Sequence, residues 1–164
     1  MKRRKLTGLF IACTLAACGG CAARVPGTNG APGKPGTPLE QALAYNASLA
    51  EANKTVAQGV INANNQTPPV IPTEIANKIL IAQSRVADFD GQLTPLLVDA
   101  GTVGANSAQI RQLIGEIQAA VTGVSGDLGI KDAKTKADIS GAIGNVTNFS
   151  GLVLSTLQAG GLLK

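Results

Sequence analysis

Apolar residues in the middle of the chain recur alternately four and three positions apart, and this spacing restricts the fold more than any other feature of the sequence. Such an alternation places the residues along one side of a helix and is typical of helices packed side by side. The longest run consists of Ile75, Ile79, Ala82, Val86, Phe89, Leu93, Leu96 and Ala100. No segment alternates apolar and polar residues with a period of two over the length of a strand. The sequence therefore predicts an all-α fold.

The first predicted helix begins at a capping box. Thr37 would be the N-cap, Pro38 the first helical residue, and Glu40 the residue whose side chain reaches back to the N-cap N–H. We expect this helix to run to about Asn64, where NNQTPPVIP over residues 64–72 interrupts it. Its outer faces are expected to carry amides such as Asn46, Asn53, Gln58 and Asn62, and its inward stripe to consist of Leu39, Leu43, Ala47, Ala50, Val56 and Val60.

The second predicted helix begins near Thr73 and carries the long apolar run. Glu74 and Lys78 form an i,i+4 ion pair, which stabilises a helix by about 0.2–0.5 kcal/mol. Pro95 has no N–H to donate to the carbonyl of Gly91, so we expect a kink or break within DGQLTP. A turn is predicted to follow at AGTVGANS.

Two further helices follow the same spacing rule. The third is expected to begin at Asn106 or Ser107, to end at Gly123, Gly126 and Gly129, and to bury Ile110, Ile114, Ile117, Val121, Val124 and Leu128. The fourth is expected to run from about Lys134 to Leu157. It would bury Ile139, Ile143, Val146, Phe149, Val153 and Leu157, with Gly141, Gly144 and Gly151 allowing close helix approach.

Residues 38–164 are therefore expected to form an antiparallel bundle of about four helices, the long ones about 40 Å in length at 1.5 Å per residue. A long two-helix hairpin with a second, looser helical pair is the alternative. Aromatic residues make up only 2% of the chain, so the core must consist of Ala, Leu, Ile and Val. Such a core favours close helix packing over a large ligand cavity.

The N-terminus has the organisation of an export signal. A basic start, MKRRK, precedes the apolar stretch LTGLFIACTLAA, which is too short to cross the roughly 30 Å core of a bilayer. Leu15-Ala16-Ala17-Cys18 resembles the lipobox of bacterial lipoproteins. The resemblance implies that residues 1–17 are a signal peptide removed by a type II signal peptidase. It also implies that the Cys18 thiol carries a diacylglycerol. The α-amino group of Cys18, which cleavage exposes, is often acylated in this family.

The membrane that would receive this lipid can also be addressed from the resemblance. Some Gram-negative bacteria retain lipoproteins in the inner membrane through an aspartate after the cysteine, and this chain has Gly19 there. The resemblance therefore implies a lipid anchor in the bacterial cell envelope, with the outer membrane favoured over the inner one.

Three cysteines compete for the lipid. Cys13 lies inside the apolar stretch. If Cys21 carried the lipid, Cys18 would occupy the lipobox position, three residues earlier, that holds a branched apolar residue. Cys18 therefore fits best and Cys21 less well. An ordinary secreted protein cut after Ala17 or Ala23 is the alternative. The spacing CGGC also matches redox and zinc motifs, but a zinc site needs four ligands and the chain has no His. We therefore expect no metal and no cofactor other than the covalent lipid.

Residues 18–37 combine the lipidated cysteine with a stretch rich in Gly and Pro. Such a composition cannot bury enough apolar surface to offset the entropy of ordering it, so we expect a flexible, disordered tether. At about 3.1 Å per residue, the residues after Cys18 could span roughly 60 Å. Three collagen-like triplets over residues 30–38 are too few for a triple helix.

Charge balance and the scarcity of reactive side chains argue against several classes of function. Of the 14 lysines and arginines, four lie in residues 2–5, so ten remain against ten acidic residues once the leader is removed. A balanced chain of this kind does not predict nucleic-acid binding. The sequence contains no His and none of the common catalytic motifs, so we expect no enzyme activity.

Three groupings of reactive side chains are better explained by ordinary helix surfaces. Asp88 and Asp90 lie two positions apart and therefore point in different directions on a helix. Ser140 and Lys136 have a spacing that chance also produces. The third grouping is a mixed-charge turn and helix start formed by Lys131, Lys134, Lys136, Asp127, Asp132 and Asp138.

Residues 139–163 contain no charged side chain and are long enough to span a membrane. Asn145, Asn148 and Gln158 interrupt the segment, and its apolar residues are periodic rather than continuous. This pattern favours a buried bundle helix over a membrane span.

Together these features predict a membrane-anchored bacterial envelope lipoprotein with a structural or protein-interaction role. Its partner would be another envelope protein or a second copy of the chain. Two alternatives stay open. One is a small helical lipoprotein that binds a lipid or apolar ligand, and the other is a membrane-active protein, such as a pore former or lysis accessory, that relies on residues 139–163.

Overall fold

The computed structural model describes residues 36–125 and 128–164, and within these ranges the chain is all-α without strands. Its helices are α1 (Pro38–Asn64), α2 (Thr73–Leu93), α3 (Ala100–Ala105), α4 (Ser107–Thr122) and α5 (Ala133–Ala159). The predicted fold class is confirmed. The predicted signal peptide, Cys18, Cys21 and nearly all of the tether lie outside the described residues.

The predicted capping box at the start of α1 is present. The backbone N–H of Thr37 donates to Glu40 Oε2 at 2.7 Å, and the N–H of Glu40 donates to Thr37 Oγ1 at 3.3 Å. These bonds satisfy N–H groups that the first helical turn leaves free. They also hold the pKa of Glu40 below its ordinary value, because the hydrogen bond from the Thr37 backbone favours the ionised carboxylate.

The break predicted at Pro95 is confirmed. α2 ends at Leu93, and a short 3₁₀ helix, Thr94–Leu97, follows it. The predicted turn at AGTVGANS is wrong, because most of this segment forms α3. Asp99 is the physical reason, since its carboxylate accepts the N–H of Thr102 at 2.8 Å and so caps a helix that its glycines alone would not favour.

The predicted start of α4 at Ser107 is confirmed, but the helix ends at Thr122. Val124 and Leu128 therefore lie beyond α4 rather than on its inward face. Leu128 is nevertheless buried, and it reaches the core from the connection to α5. α5 begins and ends within two residues of the predicted bounds.

The four long helices form a ring in the order α1, α2, α4, α5, in which every neighbouring pair is antiparallel. Hydrogen bonds join Asn53 of α1 to Gln83 of α2, and Gln118 of α4 to Ser150 of α5. The start of α1 lies against the end of α5. A depression between α2 and α4 is lined by Lys78, near the start of α2, and by Gly123, just past the end of α4, so these two helices run antiparallel. The predicted antiparallel bundle is confirmed.

The seams of α4 and α5 largely agree with prediction. Ile110, Ile114, Ile117 and Val121 are buried on α4, and Ile139, Ile143, Val146, Val153 and Leu157 are buried on α5. One position of the α5 seam differs from the prediction. Phe149 is half-buried, and Ser150 is completely buried in its place. Counting Ser150 restores a strict alternation of four and three along α5.

The stripe predicted for α1 is wrong in its first half. Ala47 and Ala50 are exposed, and Leu39 and Leu43 are only half-buried. Asn46 and Asn53, predicted to face outward, are buried instead. The observed seam alternates strictly by four and three through Ala42, Asn46, Leu49, Asn53, Val56, Val60 and Ala63.

Helix α2 has two overlapping seams because it packs against two helices, α1 and α4. The predicted run holds in part, since Ile79, Ala82, Val86 and Leu93 are buried, while Ile75, Phe89 and Leu96 are half-buried and Ala100 is exposed. The second seam was not predicted, and it alternates through Ala76, Ile79, Gln83, Val86, Asp90 and Leu93. Gln83 is buried and Asp90 is half-buried.

The predicted role of three glycines in α5 is also wrong. A Cβ added at Gly141, Gly144 or Gly151 would meet nothing within 4 Å, so none of them is needed for close approach. Gly160 is the glycine that is needed, because a Cβ there would overlap the ring of Pro38. This contact fixes the end of α5 against the start of α1.

Candidate functional site

Two polar layers interrupt the seam between α1 and α2. The first contains Asn53 and Gln83, which are only 7% and 3% exposed. The Nδ2 of Asn53 donates to the backbone carbonyl of Gln83 at 3.0 Å. The Oδ1 of Asn53 and both polar atoms of the Gln83 carboxamide have no hydrogen-bond partner among the described residues. This layer therefore holds unpaired acceptors and one unpaired donor group, Gln83 Nε2.

The second layer contains Asn46, Asp90 and Thr94. The Nδ2 of Asn46 donates to Thr94 Oγ1 at 3.0 Å, and the Thr94 hydroxyl donates to the backbone carbonyl of Asp90 at 2.9 Å. The Oδ1 atoms of Asn46 and Asp90 have no partner in the described part of the chain. Burial raises the pKa of Asp90 above its ordinary value of 3.8, and a hydrogen bond with Asn46 offsets part of that effect.

The two layers are one heptad apart, about 10.5 Å along the helix axes at 1.5 Å per residue. Seven positions separate Asn46 from Asn53 and Gln83 from Asp90. This repeat is the sequence signal that could have identified the site. Apolar periodicity alone does not reveal this repeat, because amides and carboxylates are then assigned to the solvent side of a helix.

A groove of about 460 Å³ lies between α1 and α2, over the Asn53 and Gln83 layer and beside Asp90 of the second layer. Buried Leu49, Asn53 and Gln83 line it from below. Its exposed edges carry mostly short side chains, namely Ala50, Ser84, Ala87 and Gly91, together with the longer Lys54. Half-buried Ala57, Leu80 and Asp90 complete the lining. The unpaired polar atoms lie beneath this groove with almost no accessible surface of their own, and the groove above them is a surface on which another chain could approach closely.

These unpaired groups lower the stability of the bundle. A buried donor or acceptor without a partner costs about 1–3 kcal/mol. Polar residues at the seam of α4 and α5 differ, because Ser150 donates to the carbonyl of Thr147 at 2.8 Å and accepts from Gln118 Nε2 at 3.4 Å. A buried polar residue can fix the register of two helices. Fixing the register requires only a polar layer, so it does not explain why carboxamide atoms in this layer are unpaired.

The other predicted groupings lie on single helices or at a helix start. Asp88 is exposed while Asp90 is half-buried, so the two carboxylates face different surroundings. Ser140 is exposed on α5. No cluster of three or more His, Cys, Asp or Glu side chains suited to a metal ion occurs in residues 36–125 and 128–164.

The mixed-charge segment serves to begin α5. The Asp132 carboxylate accepts the N–H of Thr135 at 2.7 Å, and Lys134 Nζ lies 2.6 Å from Asp138 Oδ2. Hydrogen bonds from Thr135 hold the pKa of Asp132 below its ordinary value, and a hydrogen bond to Asp138 raises that of Lys134. Asp127 lies outside the described residues.

The uncharged segment 139–163 belongs mainly to α5, whose seam is buried in the bundle. Among the helices that the structure describes, none has the length and apolar character to cross a membrane.

No protein-family model matches this chain, and no match was found among curated proteins or solved structures.

Proposed function

We propose that this protein is a lipid-anchored component of the bacterial cell envelope that acts by binding another polypeptide through the groove between α1 and α2. The N-terminal sequence supports the anchor. Leu15-Ala16-Ala17-Cys18 has the lipobox pattern, and Cys18 is the residue proposed to carry the diacylglycerol and N-acyl chains. Two or three acyl chains hold a protein on a membrane essentially permanently, since each buried methylene contributes about 0.8 kcal/mol.

The anchor and the bundle would be joined by the Gly- and Pro-rich residues 19–37. A spacer of this length reaches roughly 60 Å when extended at about 3.1 Å per residue. The bundle could then meet partners well beyond the membrane surface. We place it on the outer membrane, following Gly19, and assign it no catalytic role.

The observation that carries the binding proposal is the unpaired polar seam under the groove. Beneath the groove, Gln83 holds an unpaired donor and acceptor and Asn53 a further acceptor, at buried positions where an apolar residue would stabilise the bundle more. A partner would reach these atoms when the side chains turn toward the groove. Departures from a locally optimal sequence are expected at functional sites. A polypeptide partner can supply both donors and acceptors, whereas an acyl chain can supply neither.

Metabolic labelling with an alkyne analogue of palmitate tests the anchor. We expect label on the wild type and on Cys21→Ala, and none on Cys18→Ala. An unlabelled wild type, or undiminished label on Cys18→Ala, would contradict the lipoprotein assignment.

Site-specific photocrosslinking in cells tests the groove. A photoreactive residue in place of Ser84, on the groove edge, should yield a defined protein adduct. The same residue in place of Ser140, which is also exposed but lies on α5, is the matched control. Absence of an adduct at Ser84, or equal adducts at both positions, would remove the support for binding through this groove.

A further inference from the structure

The groove carries opposite charges at its two polar layers. Lys54 lies on the exposed edge of the groove beside the Asn53 and Gln83 layer, and half-buried Asp90 lines the groove at the second layer. A cation and a carboxylate on opposite sides of the Ala87 level are what a second, inverted copy of the same groove would match.

We propose that a second copy of this chain docks on the groove about a two-fold axis near Ala87, so that Lys54 of each copy lies near Asp90 of the other. Two-fold symmetry is the commonest way for identical chains to associate, and it brings the same surface of both copies together. The inference rests on the proposed function and names the partner as the chain itself.

Ala87 lies midway between the two layers on α2, and Ala50 lies between them on α1. Both are exposed and have short side chains. Gly91 and Ser84 extend this low surface along α2. Helices whose contact positions are small can approach to the short end of the usual 8–10 Å range. The axis therefore falls where the groove offers the least obstruction.

The charges of the groove favour the same arrangement. It holds one cation, Lys54, and one carboxylate, Asp90, on opposite sides of the Ala87 level. Inversion about the axis brings each ammonium toward the other copy's carboxylate, and like charges do not meet. The ion pair of Lys54 with Glu51 is a long one, 3.8 Å between exposed side chains, so the Lys54 side chain is available to move.

The tether is compatible with this pairing. Thr37 lies about 13 residues from Ala50, so inverted copies place their α1 starts about 40 Å apart at 1.5 Å per residue. If residues 19–37 extend at about 3.1 Å per residue, they would reach roughly 60 Å, and the proposed lipids of both copies would then enter one membrane.

Disulfide crosslinking of the full chain in its own membrane tests the proposal. In a Cys21→Ala background, Ala87→Cys places a thiol beside its counterpart across the axis, and mild oxidation should give a species of twice the mass on a non-reducing gel. Ser140→Cys, exposed on α5, is the matched control and should stay monomeric. Adding Lys54→Glu, a change at an exposed side chain that leaves the fold intact, should reduce the dimer by about fivefold or more, because attraction across the axis becomes repulsion.

The outcomes separate the two proposals. A dimer that forms equally from Ser140→Cys, or that ignores Lys54→Glu, overturns the two-fold docking. If Ala87→Cys gives no dimer while the photocrosslinker at Ser84 captures a different protein, the groove binds a heterologous chain and self-association is overturned while the proposed function stands. If neither reagent reacts, both proposals fail.

Discussion

The α4–α5 pair and the α1–α2 pair are built on the same spacing rule but differ in what fills their seams. Between α4 and α5 the seam is apolar except at Ser107 and Ser150, whose hydroxyls are both hydrogen-bonded. Between α1 and α2, Asn46, Asn53, Gln83 and Asp90 occupy seam positions and leave polar atoms unpaired. One half of the bundle is optimised for stability, while the other keeps groups that would be better satisfied by a partner.

A charge at a position shared by both seams of α2 should have the largest effect. Val86 is completely buried and belongs to both seams. Val86→Asp would bury an unpaired carboxylate and should cost more than about 4 kcal/mol, a large part of a typical total stability of about 5–15 kcal/mol. We expect loss of most of the far-UV helical signal. Ser84→Asp, an exposed position two residues away on the groove edge, should keep it. Full helicity in Val86→Asp would contradict the bundle.

Alanine substitutions at Gly160 and Gly91 test how tightly the chain packs at the α5–α1 contact and along the groove. Gly160→Ala should lower the free energy of unfolding by about 1–3 kcal/mol, because the new methyl overlaps Pro38 at the contact between α5 and α1. Gly91→Ala should not destabilise and should raise the free energy by up to about 1 kcal/mol, because nothing lies within 4 Å and alanine favours helix. Urea unfolding measures both. A reversed order would show that the groove is the tighter region.

The smallest expected effect is a pH dependence at Asp90. Burial raises the pKa of Asp90 in the folded state, so the protonated form is the one that folding favours. The stability that the protonated Asp90 contributes is therefore fully present below pH 3.8, the ordinary pKa of the group. This contribution is lost as the pH rises through the higher pKa that Asp90 has in the folded state. Asp90→Asn should melt at a higher temperature than the wild type at pH 7, and the difference should vanish near pH 3. Thermal unfolding in dilute protein checks this, and a lower melting temperature at pH 7 would mean that the carboxylate is paired.

Much of the fold could be predicted from the sequence, because its signals are local. The capping box at Thr37, the break at Pro95 and the apolar seams of α4 and α5 each depend on residues close together in the chain. The α1 seam could not be predicted in the same way. Asn46 and Asn53 follow its spacing, but their chemistry assigns them to solvent, and only the opposing Gln83 and Asp90 on α2 reveal a shared polar interface.

The proposed anchor and the groove depend on different kinds of information. Cys18 is proposed from a motif alone, and no residue of the bundle bears on it. The groove was missed at the level of sequence because unpaired atoms are a property of packing. α3 was missed for a related reason, since the capping carboxylate of Asp99 outweighs the low helix propensity of Gly101 and Gly104.

Gln83→Leu tests the central claim most directly, because it removes the unpaired carboxamide while keeping a side chain of similar size. We predict that the free energy of unfolding, measured by urea denaturation of dilute protein, rises by about 1–2 kcal/mol. The same variant should give less of the Ala87→Cys crosslinked dimer than the parent. A fall in stability of more than about 1 kcal/mol, or an undiminished dimer, would contradict the claim that this seam gives up stability for binding.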